Sequence, residues 1–130
     1  MTTMKKFISF VVLLVIAQIS IAQDYENVRL VFNDSLSNSS IYNLQNILDT
    51  DTLKTNNPNL TITSFVCSSI CYVDWEVKHS SNILSNMAKK YIKSCAKNNS
   101  KLYFDNIMAI NREGRVISLG NRVIRVKKVK

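Results

Sequence analysis

Apolar and polar residues alternate along one part of this chain and follow a helical period along another. Leu60 to Thr63 and Cys71 to Lys78 alternate between apolar and polar side chains, as half-buried strands do. From Ile83 to Cys95 the apolar residues recur every three or four positions, which predicts an amphipathic helix with Ser80 or Ser81 as its N-cap. We therefore expect a pair of strands followed by the main helix, with the whole apolar stripe of the helix covered by the apolar faces of the neighbouring strands.

Weaker patterns precede this pair of strands. Val28 to Phe32 alternates and predicts a first strand. The apolar residues between Ile41 and Leu48 recur at helical spacing, which predicts a short helix capped by Ser40. The run Asn56 to Asn59 contains the single proline of the chain and predicts a loop.

The C-terminal part reads as further strands. Lys101 to Ile110 alternates, but its apolar pattern slips by one residue, which predicts a β-bulge near Asp105 and Asn106. Asn111 to Gly114 has the composition of a tight turn, and Val116 to Leu119 and Val123 to Val129 predict one or two closing strands. The order of elements predicts the α+β class: a compact, antiparallel, β-rich and sandwich-like domain with one main amphipathic helix packed on the sheet.

The N-terminal segment has the layout of a secretory signal peptide. Lys5 and Lys6 precede an apolar run from Phe7 to Ile16, and Ser20 to Ala22 supplies small residues for cleavage. An uncleaved anchor is the alternative, but this run is shorter than the roughly 20 residues that cross a bilayer. We expect cleavage after residue 22, a single domain over residues 23–130 without a stable membrane span, and a periplasmic or secreted protein.

Charge is unevenly distributed along the chain. Residues 23–77 carry two basic against seven acidic side chains, whereas residues 78–130 carry thirteen basic against two acidic ones. A possible basic interaction surface at the C-terminal end consists of Arg122, Arg125, Lys127, Lys128 and Lys130. This end holds no aromatic residue on which nucleic-acid bases could stack, and an exported protein seldom meets nucleic acid, so we expect no nucleic-acid partner.

The reactive side chains are few. Cys67, Cys71 and Cys95 are candidates for a disulfide in an oxidising compartment, with the pairing open, and a free buried cysteine is the alternative for each. His79 could join Cys67 or Cys71 as a metal ligand or a catalytic base, but one histidine makes too small a set for either. We expect no catalytic, cofactor or metal site, a solvent-exposed His79 at the end of its strand, and Trp75 in the core.

Several of these segments together resemble a known family. The run Leu60 to Phe65, the strand ending at Lys78, the amphipathic helix, the run Leu102 to Ile107 and Gly114 after the turn resemble the C-terminal domain of the gliding-motility protein GldM family. The resemblance covers about residues 44–129. It implies a non-catalytic, β-rich interaction module of the type IX secretion and gliding-motility machinery of Bacteroidota, with cell-envelope proteins as partners.

The sequence thus leads to three hypotheses of function. The first is an exported, non-enzymatic protein–protein interaction module associated with that machinery. The second is a free-standing exported binding protein whose basic C-terminal half holds an anionic ligand or surface. The third is a small thiol-dependent enzyme, which the residues favour least.

Overall fold

Two β-sheets and two helices make up the part of the chain that the structure describes. The computed structural model of the protein describes residues 25–35, 37, 39–71 and 74–128. The predicted signal peptide and Lys130 lie outside these residues. The elements in chain order are β1 (Leu30–Val31), β2 (Ile41–Asn43), α1 (Leu44–Leu48), β3 (Lys54–Thr55), β4 (Thr61–Ser69), β5 (Trp75–His79), α2 (Asn86–Cys95), β6 (Lys101–Ile110) and β7 (Val116–Lys127).

The main sheet contains five strands in the order β2-β7-β6-β4-β5, while β1 and β3 form a separate antiparallel pair. Antiparallel pairing joins β4 to β5, β4 to β6, and β6 to β7. The short edge strand β2 pairs with β7 in parallel. The α+β, β-rich class is confirmed, and the parallel edge is a feature that no local pattern indicated.

The long hairpin of β6 and β7 follows the sequence pattern closely. The register shifts between Phe104 and Ile107, and Asn106 adopts a positive φ of 50°, so the predicted bulge is confirmed. The turn that follows closes with a hydrogen bond from the Gly114 N–H to the Asn111 carbonyl. Of the one or two closing strands predicted, the structure has one, which continues through Gly120 at a φ of 70°. Glycine suits that position because side chains disfavour positive φ.

Both helices begin later than predicted. The N-cap of α2 is Ser85, whose hydroxyl accepts from the Ala88 N–H at 3.2 Å, and not Ser80 or Ser81. Residues 82–84 are held instead by contacts with the loop before β3, where the Leu53 N–H donates to the Asn82 carbonyl. The N-cap of α1 is Asn43 and not Ser40, because residues 41–43 pair with β7 as a strand.

One face of the main sheet carries the core. Alternate residues of β4, β6 and β7 point toward α1, α2 and the segment around β1, which cover this inner face. Phe104 is fully buried at its centre, with ring centroids 5.5 Å from Phe32 and 5.9 Å from Phe65. The opposite face of the sheet, called here the outer face, carries polar and half-buried side chains. In the described part of the chain, neither helix is long and apolar enough to cross a bilayer.

Candidate functional site

An open apolar groove of about 640 Å³ lies beside α2. Met87, Tyr91 and the paired Cys71 and Cys95 form its apolar lining. Lys90 is the single charged residue among the described residues that line it. The groove therefore combines an apolar surface with one positive charge.

Met87 and Tyr91 are exposed although both belong to the apolar stripe of the helix. They are 61% and 41% exposed, whereas Ala88 and Ile92 are buried. Ile83, just before the helix, is also exposed. The expectation that the whole stripe is covered is therefore wrong: the sheet covers only the side that carries Ala88 and Ile92.

The helical period explains this division. At 3.6 residues per turn, the five apolar residues of α2 from Met87 to Cys95 span about 140° of the helix surface. A sheet packed on one side covers the part that contains Ala88 and Ile92, which are both buried. The width of the stripe was the signal in the sequence that could have revealed an exposed apolar strip.

Tyr91 is held in place from the core side by Trp75. The two rings stack at 5.3 Å between centroids, with 11° between their planes. Trp75 is only 6% exposed, so its predicted place in the core is confirmed. Within the described part of the chain its indole nitrogen has no hydrogen-bond partner, and stacking and burial position the ring instead.

The structure joins two of the three cysteines. Cys71, in the connection after β4, forms a disulfide with Cys95 at the end of α2, with their α-carbons 5.8 Å apart. Cys67 is free and buried in β4. Burial, and then the charge of Asp105, raises the pKa of the Cys67 thiol, so it stays protonated at neutral pH. Neither Cys67 nor Cys71 is thus set up as a thiolate nucleophile.

His79 is buried, and the expectation that it lies in solvent is wrong. Its ring stacks on Phe65 at 4.1 Å and is 7% exposed. Nδ1 lies 3.1 Å from the Val77 carbonyl, and Nε2 accepts the Ser85 N–H at 3.2 Å. Because a carbonyl only accepts, Nδ1 carries the proton of the neutral ring. His79 therefore fixes the N-terminus of α2 against β5.

We expect this contact to make folding acid-sensitive. Burial lowers the pKa of His79, and the hydrogen bond from Nδ1 to the Val77 carbonyl offsets only part of this effect. The unfolded chain then takes up the proton first as pH falls below about 6.5, and stability falls with pH by at most about 1.4 kcal/mol per unit. Urea unfolding between about pH 5.5 and 7.5 measures this slope. The chain has no other histidine, so the free energy of unfolding of His79→Gln should change little over this pH range. If the variant kept the slope of wild type, the assignment of the slope to His79 would be contradicted.

Arg122 does not belong to an exposed basic surface. Its guanidinium donates to four backbone carbonyls, those of Tyr25, Val28, Leu119 and Asn121, at 2.6 to 3.3 Å. Burial lowers its pKa, and these carbonyls offset the lost hydration. Arg122 thus ties the N-terminal segment to the bend in β7.

Of the other predicted basic residues, the three that the structure describes lie near the C-terminal end of β7. Arg125 and Lys127 are exposed on the outer face. Lys128 is also exposed, and its backbone N–H donates to the side chain of Asn98. Lys101 was not among the predicted residues, yet β6 places it directly opposite Arg125. Strand register, which sequence alone did not supply, adds this residue to the basic cluster.

The described residues contain no cluster of side chains that could bind a metal ion. Among them, no group of three His, Cys, Asp or Glu side chains is arranged to hold an ion. The acidic residues Asp34, Asp49 and Asp51 line one small cleft together with Lys54, whose charge opposes theirs. The two features suited to recognition are therefore the apolar groove and the basic end of the outer face.

Comparison with known proteins does not assign a family. The GldM resemblance stays a prediction that depends on the segments named above. The chain matches no protein-family model and no curated protein.

Proposed function

We propose that this protein is an exported, non-enzymatic interaction module that binds a partner protein of the cell envelope through the groove beside α2. The observation that carries the proposal is the exposure of Met87 and Tyr91 in an apolar groove, above a rigid support. Exposed apolar side chains grouped in this way are typical of protein interaction sites. Burying them against a partner would be favourable, and the stacked Trp75 orders Tyr91 beforehand.

The charge around the groove defines the partner segment. The helix carries Lys89, Lys90 and Lys93 and no acidic residue. Lys89 pairs with Asp51 at 3.3 Å, whereas Lys90 faces the groove. The matching occupant is a segment with apolar side chains and at least one carboxylate, because a carboxylate would pair with Lys90.

The proposed export and the proposed association with the type IX machinery are supported by different observations. The signal-peptide pattern and the disulfide both fit an oxidising compartment outside the cytosol. The GldM resemblance points to the type IX secretion and gliding machinery as the source of the partner. This association is the part of the proposal that needs a cellular test.

The test compares the wild-type protein with two variants of exposed apolar residues. Met87→Glu places an acidic side chain in the groove, where it repels an acidic partner and removes apolar contact. Val116→Glu makes the same change at a site 69% exposed near the β6–β7 turn, and serves as the matched control. Tagged proteins are purified from the envelope and their partners identified by mass spectrometry. We expect named components of the machinery with wild type and Val116→Glu, and at least about a tenfold loss with Met87→Glu.

Two results would contradict the proposal. Equal recovery of these components with Met87→Glu would remove the groove as the binding site. Recovery of none of them, together with normal secretion and motility in a deletion strain, would remove the association with the machinery.

A second function, the binding of an anionic ligand or surface, is favoured by the basic end of the outer face. Lys101 and Arg125 lie opposite each other, and Lys127 follows two residues later on the same face. Like charges facing each other across strands are destabilising, so an anion that neutralises them would be bound favourably. Binding of a soluble polyanion that weakens steeply with added salt would support this function, and binding insensitive to salt would oppose it.

A further inference from the structure

The basic end of the outer face also carries exposed aliphatic side chains. Ile41 on β2 lies beside Arg125 in the parallel register, and Arg125 lies opposite Lys101. Val123 precedes Arg125 by two residues and so shares its face. Ile41 is 40% and Val123 46% exposed. We call this set, Ile41, Lys101, Val123, Arg125 and Lys127, the basic-aliphatic patch.

No ion pair between two described residues involves the patch, since the one such pair joins Lys89 to Asp51 on another element. Asp105 is four residues along β6 from Lys101, about 13 Å at the rise of a strand. Asp74 precedes β5 and Glu76 is on it, two strands away from β6. Glu26 lines a cleft together with Val123, but none of the basic residues of the patch lines that cleft. The three basic side chains of the patch therefore have no acidic ion-pair partner among the described residues.

The exposed aliphatic side chains of the patch favour an anionic bilayer over a soluble polyanion as its partner. A soluble polyanion would neutralise Lys101, Arg125 and Lys127 but would leave Ile41 and Val123 in water. The interface of an anionic bilayer offers both headgroup charges and an apolar layer beneath them. Long basic side chains can reach the headgroups while aliphatic neighbours enter the interface. The patch lies on the surface of a sheet, and a sheet surface suits a membrane better than a small enclosed ligand.

We propose that the basic-aliphatic patch docks this protein on the surface of an anionic lipid membrane. This inference rests on the second function proposed above and names its anionic partner. The contact is peripheral, because it uses side chains on one sheet face. It lies on a different surface from the groove, since the groove is formed by α2 and the connection after β4, on the helix side of the sheet.

The test measures cosedimentation of the purified protein with lipid vesicles. Vesicles of phosphatidylglycerol mixed with phosphatidylcholine are compared with phosphatidylcholine alone, and heparin serves as a soluble polyanion. We expect binding to the mixed vesicles, little to phosphatidylcholine, and a decrease with added salt. Lys101→Gln and Arg125→Gln should each weaken vesicle binding about fivefold, which is about 1 kcal/mol per basic residue at an anionic surface. Arg115→Gln removes an exposed charge near the far turn and should change little.

Two further variants separate membrane docking from simple charge attraction. Ile41→Ser should weaken vesicle binding and leave heparin binding unchanged, with Val116→Ser as its matched control. Lys101→Glu should abolish vesicle binding while the thermal midpoint stays at least as high as in wild type, because a carboxylate then faces Arg125. That pair of readouts shows that lost binding does not come from lost folding.

The possible failures are distinguishable. Heparin binding without vesicle binding, or vesicle binding that Ile41→Ser does not change, overturns the membrane inference and leaves the broader anion-binding function standing. If the wild-type protein binds neither heparin nor vesicles, both the membrane inference and the anion-binding function are overturned. Equal effects of Lys101→Gln and Arg115→Gln overturn the assignment to the patch.

Discussion

Replacing Phe104 by alanine is expected to lower the free energy of unfolding by about 3–5 kcal/mol. The side chain is fully buried in the middle strand of the main sheet and contacts the rings of Phe32 and Phe65. Removing it leaves a cavity that the strands on either side cannot fill, because their register is fixed by backbone hydrogen bonds. Denaturant unfolding measures the loss, which is a large share of the 5–15 kcal/mol typical of one domain.

Tyr103→Ala is the matched control for this prediction. It truncates an aromatic side chain one residue away on β6, but on the outer face, where Tyr103 is only half-buried. We expect a much smaller loss than for Phe104→Ala. Equal losses for the two variants would mean that the core does not lie on the inner face of the sheet.

Removal of the disulfide is expected to have the next largest effect on stability. The bond closes a loop with a sequence separation of 24 residues, for which the loss of chain entropy in the unfolded state corresponds to about 3 kcal/mol. The double variant Cys71→Ser with Cys95→Ser should lose this amount. Wild type unfolded in the presence of reductant should approach the stability of the double variant.

Cys67→Ala serves as the control for the disulfide. Its thiol is free and buried, so the variant should show a modest packing loss and keep the full sensitivity to reductant. If reductant left wild type unchanged, or if Cys67→Ala became insensitive to it, the pairing of Cys71 with Cys95 would be contradicted. Since this disulfide also lines the groove, the double variant should weaken partner binding as well.

Local patterns predicted the hairpin of β6 and β7 in detail. The one-residue slip in the apolar pattern placed the bulge at Asp105 and Asn106, and the glycine of the turn occupies a positive φ. These features depend on residues close together in the chain, so they can be predicted without knowing which distant segments pack against the hairpin. The strand ending in His79 was recognised for the same reason.

The same alternation could have placed His79 correctly. Trp75 and Val77 point inward from β5, and His79 is the next residue with the same parity. The prediction that His79 lies in solvent overlooks its hydrogen bonds with Val77 and Ser85 and its stacking on Phe65, which offset its burial. Ser85 and Phe65 belong to other elements of the fold, so local alternation does not predict the contacts with them.

The candidate sites depended more strongly on the tertiary structure. Arg122 and Arg125 look equivalent in the sequence. In the structure, Arg122 donates its hydrogen bonds to backbone carbonyls, whereas Arg125 is exposed to solvent. Lys101 joins Arg125 only because the hairpin register sets them opposite each other. Likewise, the apolar stripe of α2 showed which residues could be buried, but the sheet decided which of them were.

The sequence by itself determined the α+β class, the main helix, the bulged hairpin and the concentration of positive charge in the C-terminal half, because each follows from periodicity or composition over neighbouring residues. Only the tertiary structure decided the pairing of Cys71 with Cys95, the parallel edge strand β2, the burial of His79 and the exposure of Met87 and Tyr91. Each of these depends on which distant segments meet. That outcome is set by the packing of the whole chain and by strand register, which local preferences do not encode.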